Sequence, residues 1–233
     1  MSETSKTADQ ALRILTAVIE RGPASAQDLA RELDINRTAC HRLLSTLHAR
    51  GFLRKEGSSY GVGHVFLRLA QEALPALLVR ARPVVQELAT QHGETVLLSV
   101  VDGDDAVAIE QAVGDGHPIR VAYPLGGRHS LATGASGRAL LAYLPAEHVE
   151  RVSAGVADPA RLADQLAAVR RDGFCTSHDE LHANVFAASV PVLSDGTPLA
   201  SLAVVAPQER AAEVEQLVPD LRRAADAIVA ALH

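Results

Sequence analysis

No apolar run in the 233-residue chain is long enough to cross a bilayer, and its opening Met-Ser-Glu-Thr-Ser-Lys lacks the cationic start and apolar stretch of a secretion signal. These two absences predict a cytoplasmic protein with no membrane partner. Cysteine is also scarce: Cys40 and Cys175 are the only two, and Cys40 falls on the apolar side of a predicted helix. Both therefore read as packed thiols rather than a structural disulfide. There is no G-x-S-x-G elbow, no Walker loop and no GxGxxG followed by an acidic residue. Nothing gives a positive signal for an enzyme, so no catalytic residue is assigned and no cofactor is expected.

Positive charge is in deficit as well. A net charge of -6 and a pI near 5.9 would repel a polyanion if the charge were evenly spread. It is not: residues 1–70 hold 10 Lys and Arg against 7 Asp and Glu, and residues 71–233 hold 12 against 21. A basic head on an acidic body fits a chain in which only the head touches DNA.

In that head, Thr7 and Gln10 can close a capping box before an amphipathic helix that Gly22-Pro23 ends. Ser25 with Asp28 starts a second helix to Leu33, and Asn36 starts a third over Arg37 to Arg50. Only Asp34 and Ile35 separate them. Such a corner needs a residue that tolerates left-handed backbone, and Asp is one of the few besides Gly that does. On the third helix Cys40, Leu43, Leu44 and Leu47 share one side, and Thr38, His41, Arg42 and Ser45 share the other. Short or hydrogen-bonding side chains on an open helix face suit base edges in a major groove, while Ser25, Asn36 and Arg37 stand at helix starts, where phosphates are met. Phe52 to Lys55, a turn, and Tyr60 to Val62 predict a hairpin wing carrying Arg54 and Lys55. The candidate DNA-binding residues are thus Ser25, Asn36, Arg37, Thr38, His41, Arg42, Ser45, Arg54 and Lys55, and the partner is a double-stranded operator.

The string Ala11-Leu-Arg-Ile-Leu, then Leu29-Ala-Arg-Glu-Leu33, His41-Arg-Leu-Leu-Ser-Thr-Leu47, Arg82-Pro-Val-Val-Gln-Glu-Leu88, Gly93-Glu-Thr-Val96, Ser136-Gly-Arg-Ala-Leu-Leu-Ala142 and Ala203-Val-Val-Ala-Pro207 resemble, in order, the isocitrate lyase regulator (IclR) family of bacterial transcription factors. The resemblance implies a winged helix-turn-helix over 1–64, a linker helix over 65–78 and a GAF-like effector-binding domain over 79–233, in a homodimer or homotetramer.

Read on its own pattern, the second domain is α+β with a largely antiparallel sheet. Strand-like runs are expected at Thr95–Val101, Ala106–Gln111, Ile119–Tyr123, Phe186–Leu193 and Leu199–Val205. Helices are expected at Ser136–Tyr143, Ala146–Val152, Pro159–Arg171 and Arg210–Leu232, and Pro83 should open or kink the helix that His92-Gly93 ends. The loop Gly126 to Gly137 has four glycines, and the amides of Gly134, Ala135 and Ser136 at a helix start suit a carboxylate or phosphate. By resemblance, the effector cavity is bounded by this loop and two strands, which gives Gly126, Arg128, Leu131, Thr133, Gly134, Ala135, Ser136, Ala187, Ser189, Ala203 and Val205 as its candidates. Ala132 and Ala187 stand where the family often has His and Cys, and Ala203 and Val205 where it has polar residues, so an unusually apolar cavity is expected, suited to a larger or aromatic acid. His178-Asp-Glu-Leu-His182 with Cys175 invites a metal reading, but no second cluster completes a shell, and it reads as a polar loop before a strand.

The expected function is a ligand-responsive regulator, with repression the family's commoner mode, controlling a catabolic or metabolic operon. The rivals are a regulator whose second domain only oligomerises, and a metabolite-binding protein or enzyme without DNA function. An apolar cavity predicts that calorimetric titration with glyoxylate or pyruvate shows no tight binding; a tight complex with either would refute it.

Overall fold

The computed structural model describes residues 5–66 and 76–232, and the chain divides into two compact units, Met1–Leu74 and Pro75–His233. Of the linker helix expected over 65–78, residues 67–75 lie outside the described residues, and 76–78 form the first turn of a longer helix.

In the first unit, helix α1 spans Lys6–Arg21, followed by β1 (Ala24–Ser25), α2 (Ala26–Glu32), α3 (Arg37–Ala49) and the strands β2 (Leu53–Glu56) and β3 (Ser59–Val62). The residue ahead of α1 is Ser5, with no side-chain cap, and Thr7 lies inside the helix, so the expected Thr7 capping box does not form. The other two caps do. Ser25 Oγ accepts from the Asp28 amide, and Asn36 Oδ1 accepts from the amides of Thr38 and Ala39. Asp34 takes φ 51°, the left-handed geometry the short corner needs. Ile14, Val18, Leu29, Ile35, Cys40, Leu44 and Leu53 form the core beneath the three helices. A three-stranded antiparallel sheet in the order β1-β3-β2 closes one end, with Leu53 opposite Val62.

The second unit begins with α4 (Ala76–His92), with Pro83 in its interior rather than at its start. Leu78, Ala81, Val85, Leu88 and Ala89 form its buried stripe, which continues across the proline; packing of that stripe sustains the helix despite the lost backbone donor. Then come β4 (Thr95–Asp102), β5 (Asp105–Ala112), β6 (Arg128–Ser130), α5 (Gly134–Leu141), α6 (Ala146–Ser153), α7 (Pro159–Asp172), β7 (Cys175–His178), β8 (Val185–Ser194), β9 (Thr197–Pro207), α8 (Ala211–Glu215) and α9 (Val218–Ala230). All six strands are antiparallel, in the order β6-β5-β4-β9-β8-β7.

Strand periodicity divides the sheet's two faces. Val96, Leu98, Phe186, Ala188, Val190, Leu202 and Val204 pack with the buried stripes of α4 and α9. Their neighbours Leu97, Ala187, Ala203 and Val205 face the other way, and helices α5 and α7 supply a further core of Leu140, Leu141, Leu162 and Leu166. The candidate site lies on this second side.

Two segments differ from their patterns. Ile119–Tyr123 forms no strand, because side chains meet its backbone groups in place of a ladder: Gln111 accepts from the Tyr123 amide, and Thr95 and Arg210 donate to the carbonyls of Val121 and Ile119. The expected helix from Arg210 to Leu232 is broken at Gln216-Leu217, and α9 restarts with Pro219 in its first turn, where a missing N–H costs nothing. Removing the double cap of α3 with Asn36→Ala is expected to destabilise the first unit by about 1 kcal/mol, read as a lowered urea midpoint.

Candidate DNA-reading face and effector pocket

On α3 the buried side holds Cys40, Leu44 and Leu47, and Thr38, His41, Arg42 and Ser45 are all exposed on the opposite side, next to exposed Arg37. The head's ion pairs among the described residues, Arg21–Glu32, Arg31–Asp28 and Arg54–Glu56, leave out Arg37, Arg42 and Lys55. Three cations therefore face solvent without a carboxylate partner. On the wing, Arg54 and Lys55 are both exposed, the Lys55 ammonium 5.7 Å from the Tyr60 ring. Ser25 and Asn36 stand where the sequence places them, but the hydroxyl of Ser25 is engaged by Asp28 and the side-chain oxygen of Asn36 by its own helix.

In the second unit, a cavity of about 290 Å³ opens on the sheet face turned toward α5. Leu97, Ser99, Ala108, Ala187 and Val205 form its sheet wall. Tyr123, Pro124, Gly127, Arg128 and His129 line one rim, and Ala135 and Ser136 project from the start of α5. The opposite rim is the segment from Ser177 to Val185, with Glu180, Leu181 and His182. His182 leans on the Tyr123 ring at 5.1 Å between centroids, so the two rims touch.

Five of the expected effector residues, Arg128, Ala135, Ser136, Ala187 and Val205, line this cavity. The others do not. Leu131, Ser189 and Ala203 are fully buried, with Ser189 Oγ donating to the Leu202 carbonyl. Gly126 turns in solvent, its amide donating to Ala108. Thr133, with Ala132, lines a neighbouring cavity of about 510 Å³ that shares Ser177 and Glu180 with the first. Ala132 lines that neighbouring cavity rather than the main one, where Ser99, Tyr123, His129, Ser177 and His182 add polar groups to a mostly apolar lining.

Gly134 holds a larger correction. Its amide, expected to receive a ligand carboxylate, donates instead to Glu180 Oε2 at 2.8 Å. Arg138, 3% exposed, grips the same carboxylate with both terminal nitrogens, at 2.6 and 2.7 Å, and reaches the Thr176 carbonyl at 3.0 Å and Cys175 Sγ at 3.4 Å. Burial pushes the Glu180 carboxyl up, but the Arg138 and Gly134 hydrogen bonds outweigh it and hold the group below the ordinary carboxylate value. The signal in the sequence is an Arg within the apolar Gly-Ala-Ser-Gly-Arg-Ala-Leu-Leu, which needs a counter-charge when its helix packs, with Asp179-Glu180 directly after β7.

The residues of the metal reading diverge. His178 packs edge-on to Phe186 at 4.5 Å and bonds Gln208, while His182 is against Tyr123. Among the described residues no three His, Cys, Asp or Glu side chains gather as a metal site.

Comparison with known proteins joins the two halves. Residues 7–57 match the model of the IclR helix-turn-helix domain, and residues 75–230 match the bacterial transcriptional regulator IclR C-terminal domain. The chain belongs to the IclR family. It is 28% identical over 207 residues to the HTH-type transcriptional regulator KipR of Bacillus subtilis, covering 83% of this chain and 82% of that one. It is 29% identical over 194 residues to the transcriptional repressor IclR of Escherichia coli, covering 74% and 68%. An IclR homologue from Microbacterium hydrocarbonoxydans, solved with 4-hydroxybenzoate, superposes with a TM-score of 0.84 at 24% identity over 97% of this chain and 99% of that one. As an IclR-family protein, the chain is a DNA-binding transcriptional regulator with a helix-turn-helix head and an α+β second domain.

The Arg138–Glu180 pair has a testable pH signature. Because the folded-state pKa of Glu180 is depressed, its contribution to stability is present above the ordinary carboxylate value of 4.5 and is lost as pH falls through the folded value. Glu180→Gln is expected to lower the urea midpoint at about pH 7 and to narrow its gap to wild type toward about pH 3. A constant gap across that range would show that the carboxylate's charge contributes nothing.

Proposed function

We propose that this chain is a ligand-responsive repressor of a catabolic or metabolic operon, acting in the cytoplasm as a homodimer or homotetramer. The observation that carries the reading is a division of labour. One unit offers an exposed, partly cationic helix face, Arg37, Thr38, His41, Arg42 and Ser45, flanked by a basic wing, and the other holds a cavity against one face of its sheet. Two heads of a dimer would place α3 in half-sites about 34 Å apart, or a multiple of that. Arg42 is the base reader, and Arg37, Arg54 and Lys55 neutralise phosphates.

The cavity supports effector binding over a purely oligomerising second domain: it is walled by aliphatic side chains, with hydroxyls and imidazoles converging from both rims, as ligand sites are. A ring-sized, partly apolar molecule is the ligand class, and the 4-hydroxybenzoate carried by the Microbacterium homologue makes simple aromatics the first probes. Regulation follows if the ligand binds one arrangement of the protein more tightly than another.

The head is tested by mobility shift on a selected operator. Arg42→Ala should cost about 1–3 kcal/mol and relax preference at the bases it reads, whereas Lys55→Ala should weaken binding to all sequences and reduce the salt slope by about one. Wild-type behaviour of both variants would reject this face as the reader.

A further inference from the structure

Building on the reading of the cavity between β4, β9 and α5 as the effector site, we infer that Glu180 occupies that cavity's carboxylate seat, so that its ligand is an uncharged, hydroxyl- or carbonyl-bearing ring compound rather than an organic acid. An acid entering such a cavity needs a donor set that compensates the loss of water around its charge. Here the two guanidiniums nearest the cavity are already matched. Arg138 is held by both oxygens of Glu180, and Arg128 by Asp102 at 2.5 Å and Asp105 at 3.2 Å. The Gly134 amide, at the mouth of α5, is taken by Glu180 too.

An acid set against the first turn of α5 would find the guanidinium nearest to it, Arg138, already neutralised by Glu180, with nothing to compensate the water its own charge gives up. The groups left over suit a neutral partner. Ser99, Ser136 and Ser177 present hydroxyls that donate or accept, and Tyr123 with His182 offers a ring edge for a flat molecule. Glu180 thus acts as an internal ligand whose charge is cancelled by Arg138, and it leaves the cavity receptive to polarity without net charge.

The test uses the full chain and titration calorimetry with two pairs matched in shape and different in charge: 4-hydroxybenzamide against 4-hydroxybenzoate, and benzamide against benzoate. Wild type should favour each amide over its acid by about ten-fold or more. Glu180→Ala empties the seat and frees Arg138, and should reverse the preference. Since that variant leaves a buried cation that can unfold the domain, Arg138→Met/Glu180→Ala is measured beside it, and should lose the discrimination against acid without reversing it. An acid that wild type binds as tightly as its amide overturns the inference, as does a folded Glu180→Ala protein that gains no affinity for acid.

Ala187→Phe separates this inference from the reading beneath it by filling the cavity. Ligand binding that survives that change lies elsewhere, and the effector-site reading fails. Binding that is lost in Ala187→Phe, with acid and amide equal in wild type, keeps that reading and rejects only the role of Glu180. If no probe binds wild type or either seat variant, both fall.

Discussion

The arrangement of the second domain's cavity-lining side depends on one buried guanidinium. Arg138 leaves a helix made otherwise of Gly, Ala, Ser and Leu and enters the interior at 3% exposure. Unpaired there, it would cost about 3–5 kcal/mol, so a carboxylate must be delivered to it. The chain does this with the loop after β7, bent by Asp179 at φ 55° and Asn184 at φ 60° and closed by the Asn184 amide donating to Asp179 at 2.6 Å. Once Glu180 is seated, its neighbours have little choice. Leu181 covers Gly134, where a Cβ would lie 3.1 Å from Leu181 Cδ1, and His182 reaches Tyr123 across the cavity. The need to pair buried Arg138 therefore sets the far rim of the cavity.

The head obeys a different constraint, one of backbone geometry. Two helices separated by Leu33 to Asn36 can turn only if one residue takes left-handed φ, and Asp34 does. The turn is tied by the Ile35 amide to Ala30 and by Arg13 to the Leu33 carbonyl at 2.9 Å. With the corner fixed and Cys40, Leu44 and Leu47 buried, the hundred-degree step per residue leaves Thr38, His41, Arg42 and Ser45 in solvent. The face is a consequence of the core beneath it.

This contrast explains what the sequence makes legible. Caps at Ser25 and Asn36, the Asp34 corner, the wing and most strands of the second domain follow from interactions within about four residues, which periodicity and propensity register. The cavity does not. Ser99, Tyr123, Glu180 and His182 come from β4 and two irregular segments, and only the sheet order β5-β4-β9-β8 brings them together. The family resemblance supplied the loop and strands but not side-chain direction: Ala187 and Val205 point to the cavity, whereas Ser189, two residues from Ala187, is sealed against Leu202. The glycine-rich loop alone suggests an open anion seat, because helix starts are generically electropositive; that the chain supplies its own anion is a long-range fact, 46 residues away.

A self-supplied anion also changes what a ligand can do energetically. If a ligand's charge drove binding, much of its affinity would be consumed in displacing Glu180 from Arg138, whose guanidinium is buried. A neutral ligand leaves the pair intact and adds apolar burial and hydrogen bonds at both rims. Because those rims belong to separate segments, Tyr123 to His129 on one side and Ser177 to Val185 on the other, such a ligand favours whichever arrangement holds them at contact distance. The equilibrium moves only by the difference in that contact free energy between arrangements, and a difference of about 1.4 kcal/mol already changes their ratio ten-fold. On the proposed neutral ligand, such a regulator would respond to the fit between two rims rather than to the charge of what lies between them.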